Sequence, residues 1–225
     1  MSDFVPSVAL AVDDFVPVVV ATVAVLLLAR FAAATEIHGV PWRAWVGAVS
    51  IGIGGLCKAV WKLIVALGGP DLAWLEKALF WFLMPGFVTL AFALLCVWKG
   101  RALAHWIGGA PIAVGFTTGT LTKSEVPLLV VTILAATAVG VLGLLLARQR
   151  GETLGQWLFG LQIALAFGLA PLAAPPQTEA KQWLEQSLNT VAQGFLLIAA
   201  WRLVKASHDP VLAPAPSAQA QEALA

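Results

Sequence analysis

Two lysines within an apolar stretch are the residues of this chain most in need of a chemical explanation. Lys58 and Lys62 stand four positions apart in the run Trp42–Leu67, so a helix there carries both on one face. Placing a lysine at the centre of a bilayer costs roughly 2.5–3.5 kcal/mol on insertion scales. Two readings of the pair stay open. Both side chains snorkel, or pair with acids, and only hold helices together; or they line a cavity that accepts an anion or a carboxylate.

Acidic partners are available at the same ends of other apolar runs. Asp13 and Asp14 stand where the first run begins, Glu76 where the third begins, and Glu185 one turn into the seventh. In that seventh run Glu185, Asn189 and Gln193 recur at intervals of four, flanked by Gln186, Ser187 and Thr190. A stripe of this kind is not expected to face lipid, so it faces the bundle or a wet cavity. Interhelical hydrogen bonds alone would also account for it. The expected solute-binding set is therefore Lys58, Lys62, Glu76, Glu185, Asn189, Gln193, Asp13 and Asp14. The lysines would supply positive charge, Glu76 and Glu185 would set their orientation, and the two amides would hydrogen-bond the solute.

Catalysis finds little support. His38, His105 and His208 are scattered, whereas a membrane metallohydrolase needs several His and carboxylate ligands at one depth. There is no Gly-x-Ser-x-Gly elbow and no phosphate-binding loop. Cys57 and Cys96 fall in different apolar runs and are not expected to pair or to hold a metal. No catalytic residue, metal or cofactor is expected, and the chain is not expected to be an enzyme.

The elements that must position these residues follow from composition. Sixty per cent of the residues are hydrophobic and 11% charged, against about 25% charged in a soluble domain. Mean hydropathy is +0.89. A net charge of +1 argues against nucleic acid as a partner. A spanning helix needs about 20 mostly apolar residues. Seven such spans are expected: Phe15–Ala34, Trp42–Leu67, Leu72–Trp98, Leu103–Thr120, Val126–Ala147, Leu154–Ala173 and Gln182–Val204. The fourth is the weakest, interrupted by Gly108-Gly109 and Pro111. Residues 1–14 form a lead without the positive start of a signal peptide, and its apolar part, Phe4–Val12, is too short to span. Turn residues mark Gly68-Gly69-Pro70-Asp71 and Ala174-Pro175-Pro176-Gln177. Residues 205–225 read as a disordered cytoplasmic tail.

Charge asymmetry orients the spans. Arg30, Arg43, Lys99, Arg101, Arg148, Arg150, Arg202 and Lys205 fall on one side, and only Lys77, Lys123 and Lys181 on the other. The richer side is expected in the cytoplasm, with the N-terminus outside and the C-terminus inside. Tryptophans such as Trp42, Trp98, Trp157 and Trp201 at inner ends, and Trp61, Trp74 and Trp183 at outer ones, form the matching aromatic belts.

The chain also repeats itself. Val-Pro-x-x-Val-x-Thr opens the first span at Val16–Thr22 and the fifth at Val126–Thr132, and both end Leu-Leu-Leu-Ala-Arg, at Leu26–Arg30 and Leu144–Arg148. Trp-Leu-Glu-x-x-Leu opens the third span at Trp74 and the seventh at Trp183, each followed by Gly-Phe at Gly86 and Gly194. Chance matching of apolar helices is the bland alternative. Glutamate is scarce enough here to make duplication the preferred reading. It gives a 3+1+3 plan: units 15–98 and 126–204 in parallel, joined by the linker span 103–120.

In topology this plan resembles the seven-helix transporter/opsin architecture that includes the SWEET sugar transporters. The Pro-Gln pair of SWEET relatives is missing from the first spans, since Pro176-Gln177 lies in a loop, and the seventh span has no lysine between Lys181 and Lys205 to hold retinal. The resemblance implies a fold and no substrate. The expectation is a seven-span, all-α protein of a bacterial inner membrane that binds or moves a small polar or anionic solute. The lipid bilayer and a membrane-protein partner or second copy are its further expected partners. The rival expectation is an accessory or sensor module whose buried charges are structural.

Overall fold

The computed structural model describes residues 7–169 and 178–208. Pro171, the Ala174–Gln177 turn, residues 1–6 and the tail from 209 onwards lie outside the described residues. Every regular element described is an α-helix: α1 Val8–Asp13, α2 Phe15–Ala33, α3 Val40–Ala66, α4 Ala73–Lys99, α5 Trp106–Thr122, α6 Val126–Gln149, α7 Thr153–Leu169 and α8 Glu179–His208. Five stretches are long and apolar enough to cross a membrane: α1 with α2, α3, α4, α6 and α8. The chain is thus an all-α protein of membrane type. The helices α5 and α7 have 17 described residues each, below the roughly 20 that span a bilayer untilted.

Helix ends carry the chemistry that stops helices. Ser7 caps α1, accepting from the Leu10 N–H. Pro41 and Pro127 occupy the first turns of α3 and α6, where their missing N–H groups would have no intrahelical partner anyway. The α4 helix closes on Gly100 at φ 65°, whose N–H donates to the Cys96 and Val97 carbonyls. Lys123 closes α5 in the same left-handed region, at φ 51°, a conformation strained for a residue with a Cβ. The lead is helical from Val8 and extends the first span, with only a turn at Asp14 between α1 and α2. Other boundaries shift by a few residues: α5 begins at Trp106, and α8 continues past Lys205 to His208, with Leu203, Val204 and Ala206 buried against the bundle.

Six helices close a ring. Around it α2 packs on α3, α3 on α4, α4 on α6, α6 on α7, α7 on α8, and α8 back on α2. The α5 helix stands outside the ring, against α4 and α6, and α1 leans on α2 and α3. Glycines decide the closest approach. A Cβ on Gly47 would lie 2.8 Å from the Gly86 carbonyl oxygen, and one on Gly86 would lie 3.0 Å from that of Gly47, so these two residues let the α3 and α4 backbones touch. Ser50 tightens the same pair by donating to the Phe82 carbonyl at 2.8 Å.

The ring is packed unevenly along its length. The large buried cluster draws on Ala24–Ala32 of α2, Val40–Ile51 of α3, Leu90–Cys96 of α4, Val139–Ala147 of α6, Leu158 and Phe159 of α7 and Leu196–Val204 of α8. All of these lie toward the end where α2, α4, α6 and α8 finish. Glu152 lies at this end too, 7% exposed, and accepts two hydrogen bonds from Arg202, Nε to Oε1 at 2.8 Å and Nη2 to Oε2 at 3.1 Å. Outward, Val19, Val46, Val49, Ile133 and Leu134 are exposed, the inside-out distribution of a protein that meets hydrocarbon.

Candidate functional site

At the opposite half the ring opens between α2, α3, α4 and α8 into a cavity of about 610 Å³. Its inner end rests on Val25, Ile51 and Leu196, which belong to the packed core. Leu79, Leu83 and Phe87 of α4 form an apolar wall. Facing it are Asp14 from the start of α2, Lys58 and Lys62 from α3, and Gln182, Glu185, Gln186, Asn189 and Gln193 from α8. The α8 residues follow spacings of three, one, three and four, which keeps them on one helical face.

Depth follows from the helix rise of 1.5 Å per residue. Lys58 is eight residues from the last residue of α3 and Glu185 six from the first of α8, about 12 and about 9 Å along their axes. The two opposite charges stand on two walls of the same cavity. Asn189 and Gln193 continue the stripe deeper, about 15 and about 21 Å from the start of α8.

Among the described residues, two of these four charges are matched to one another. Lys62 Nζ lies 2.5 Å from Asp14 Oδ2, with the two side chains 17% and 13% exposed. Among the described residues the other ion pair is Glu152–Arg202, at the far end, so neither Lys58 nor Glu185 is in one. Gln193 Nε2 donates to Asn189 Oδ1 at 3.2 Å. Gln182 Oε1 is buried with no hydrogen-bond partner, an arrangement that costs free energy unless a donor reaches it. Thr22, also lining the cavity, donates its hydroxyl to the Val18 carbonyl at 2.7 Å.

Of the residues singled out in the sequence, Asp14, Lys58, Lys62, Glu185, Asn189 and Gln193 line this cavity. Asp13 and Glu76 do not, and Glu76 is exposed. Leu75 and Leu79, four apart, are buried and mark the inward face of α4 at this level, and Glu76 is turned roughly 100° from Leu75. Gln182 was missed, although one more step along the four-residue spacing from Gln186 reaches it. Glu152 was missed as well; its signal was an isolated acid among the basic residues Arg148, Arg150 and Arg202. Among the described residues no three of His, Cys, Asp and Glu gather where a metal ion could be held.

No protein-family model, no curated protein and no solved structure matches this chain. What the chain does is therefore to be argued from the cavity and the bundle around it.

Proposed function

We propose that this protein binds, and moves across a bacterial inner membrane, a small polar or ionic solute held in the cavity between α2, α3, α4 and α8. The observation that carries the reading is the convergence of two lysines, two acids and four amides on one cavity, in a chain that is only 11% charged. Groups that costly to bury are retained in membrane helices where they serve a pathway or a site. The supporting frame is seven spans, α2 to α8, with the N-terminus outside and the cavity opening outward. The ring supports a duplicated origin: exchanging α2–α3–α4 with α6–α7–α8 maps the α2–α8 contact onto the α4–α6 contact. Thr22 and Thr132, equivalent in the repeat, donate to the Val18 and Leu128 carbonyls at the same 2.7 Å. Movement, as opposed to binding, requires the floor of Val25, Ile51 and Leu196 to part.

The test is native mass spectrometry of the full chain in lipid nanodiscs. A solute that copurifies with the wild type, and is lost from Lys58→Met and Glu185→Gln variants that remain folded, supports the reading. Unchanged solute in both variants overturns it. For orientation, cysteines introduced at Lys123 and Arg150 of a Cys57→Ala/Cys96→Ala chain should be labelled from outside and inside respectively.

A second reading has its own observation. The Asp14–Lys62 pair ties the start of α2 to α3, as Glu152–Arg202 ties the other end, and an accessory or sensor module would need its charges for that alone. It predicts that Lys62→Met and Asp14→Asn change stability or partner assembly, and that Lys58→Met and Glu185→Gln displace no small molecule.

A further inference from the structure

Resting on the binding reading above, we infer that the solute is a zwitterion, with an anionic group and an ammonium or amidinium group a few bonds apart. The walls of the cavity hold Asp14, Lys58, Lys62 and Glu185 as their charged groups, none coming from α4. Asp14 and Lys62 satisfy one another. What is left for a ligand is one positive charge, Lys58 on α3, and one negative charge, Glu185 on α8, lining the same cavity and unpaired with each other or with any described residue.

A simple anion would satisfy Lys58 and be repelled by Glu185. A simple cation would meet the reverse. A molecule with both charges satisfies both walls and leaves the site neutral, with Lys58 exposed and Glu185 half-buried along the cavity and therefore both reachable by a ligand. The amide inventory points the same way. Gln182 Oε1 is a buried acceptor without a donor, three residues before Glu185 and on the same face. A ligand ammonium, with up to three N–H donors, would serve the Glu185 carboxylate and the Gln182 carbonyl together. An anion has no N–H to offer Gln182. The apolar wall of Leu79, Leu83 and Phe87 would hold the carbon skeleton between the two charges.

The experiment is isothermal titration of the full chain in nanodiscs with matched probes. Alanine, β-alanine, 4-aminobutyrate, leucine and phenylalanine are each compared with the acid lacking the amine and with the amide lacking the carboxylate. At least one zwitterion is expected to bind about tenfold or more tightly than both counterparts, one charge-assisted contact corresponding to about a factor of ten. Lys58→Met and Glu185→Gln should each erase that preference, and the charge exchange Lys58→Glu with Glu185→Lys should restore it, which guards against variants that merely misfold. Acids binding as tightly as the zwitterions, in a Lys58-dependent manner, would overturn the inference and leave solute binding standing. Absence of binding across the set, with a copurifying solute that lacks either an anionic or a cationic group, would overturn the inference alone, whereas a copurifying zwitterion would support it. No binding and no copurifying solute would overturn both.

Discussion

The ion pair between Lys62 and Asp14 decides how many charges the cavity offers, and a double-mutant cycle measures it. At 2.5 Å two unit charges attract by roughly 7 kcal/mol at an effective dielectric of 20. Desolvating both ions takes back most of that. Exposed pairs contribute about 0–1 kcal/mol, whereas breaking a buried pair by removing one partner costs about 3–5 kcal/mol. With side-chain exposures of 17% and 13%, the pair stands between these limits and closer to the buried one. We expect Lys62→Met and Asp14→Asn each to cost about 2–3 kcal/mol and the double variant no more than either, a coupling of about 2 kcal/mol. The assay is reversible unfolding of the four proteins in mixed micelles titrated with sodium dodecyl sulfate, followed by tryptophan fluorescence. Costs that add to within about 0.5 kcal/mol would refute the reasoning. Lys62 and Asp14 would then count as a second free cation and a second free anion, and the cavity would no longer offer a ligand a single charge of each sign.

Other outcomes follow from the packing. Gly47→Ala and Gly86→Ala each push a Cβ into backbone at about 3 Å and should destabilise by about 1–3 kcal/mol in the same titration, while Gly194→Ala, with nothing within 4 Å, should be neutral or stabilising. Lys123→Gly removes the strain of the left-handed α5 terminus and should stabilise by up to about 1 kcal/mol, read as a higher melting temperature. Arg202→Met leaves Glu152 buried without its partner, so it should melt lower than Arg202→Met combined with Glu152→Leu; the reverse order would mean that the pair is idle.

Much of the helical fold was open to the eye in the sequence, because the long helices are predominantly apolar runs and lipid leaves such a backbone no alternative. Ends were less legible. Leu103 is as apolar as its neighbours, yet α5 starts at Trp106, since the chain first turns through Gly100–His105. Within the site, periodicity along one helix could be read directly: Glu185, Asn189 and Gln193 share a face whatever they pack against. Pairing between helices could not. That Lys62 meets Asp14, and that Glu76 turns outward while Glu185 turns in, depends on the rotation of each helix about its own axis. Local spacing gives that rotation only when the buried face is already known. The touch of Gly47 on Gly86 was invisible for the same reason: two glycines in separate runs carry no mark of each other.

The outlying helix α5 turns fewer polar groups outward than its threonines suggest. Its threonines Thr118, Thr120 and Thr122 donate their hydroxyls to the carbonyls of Val114, Phe116 and Thr118 at 2.6, 2.8 and 2.7 Å. Each hydroxyl is thereby folded back on its own helix, and what remains to face outward is a methyl group. A surrounding acyl chain would meet this segment much as it meets valine, a side chain of nearly the same shape. Counted letter by letter α5 is semi-polar; counted by the groups it turns outward, its insertion cost is lower than its letters imply.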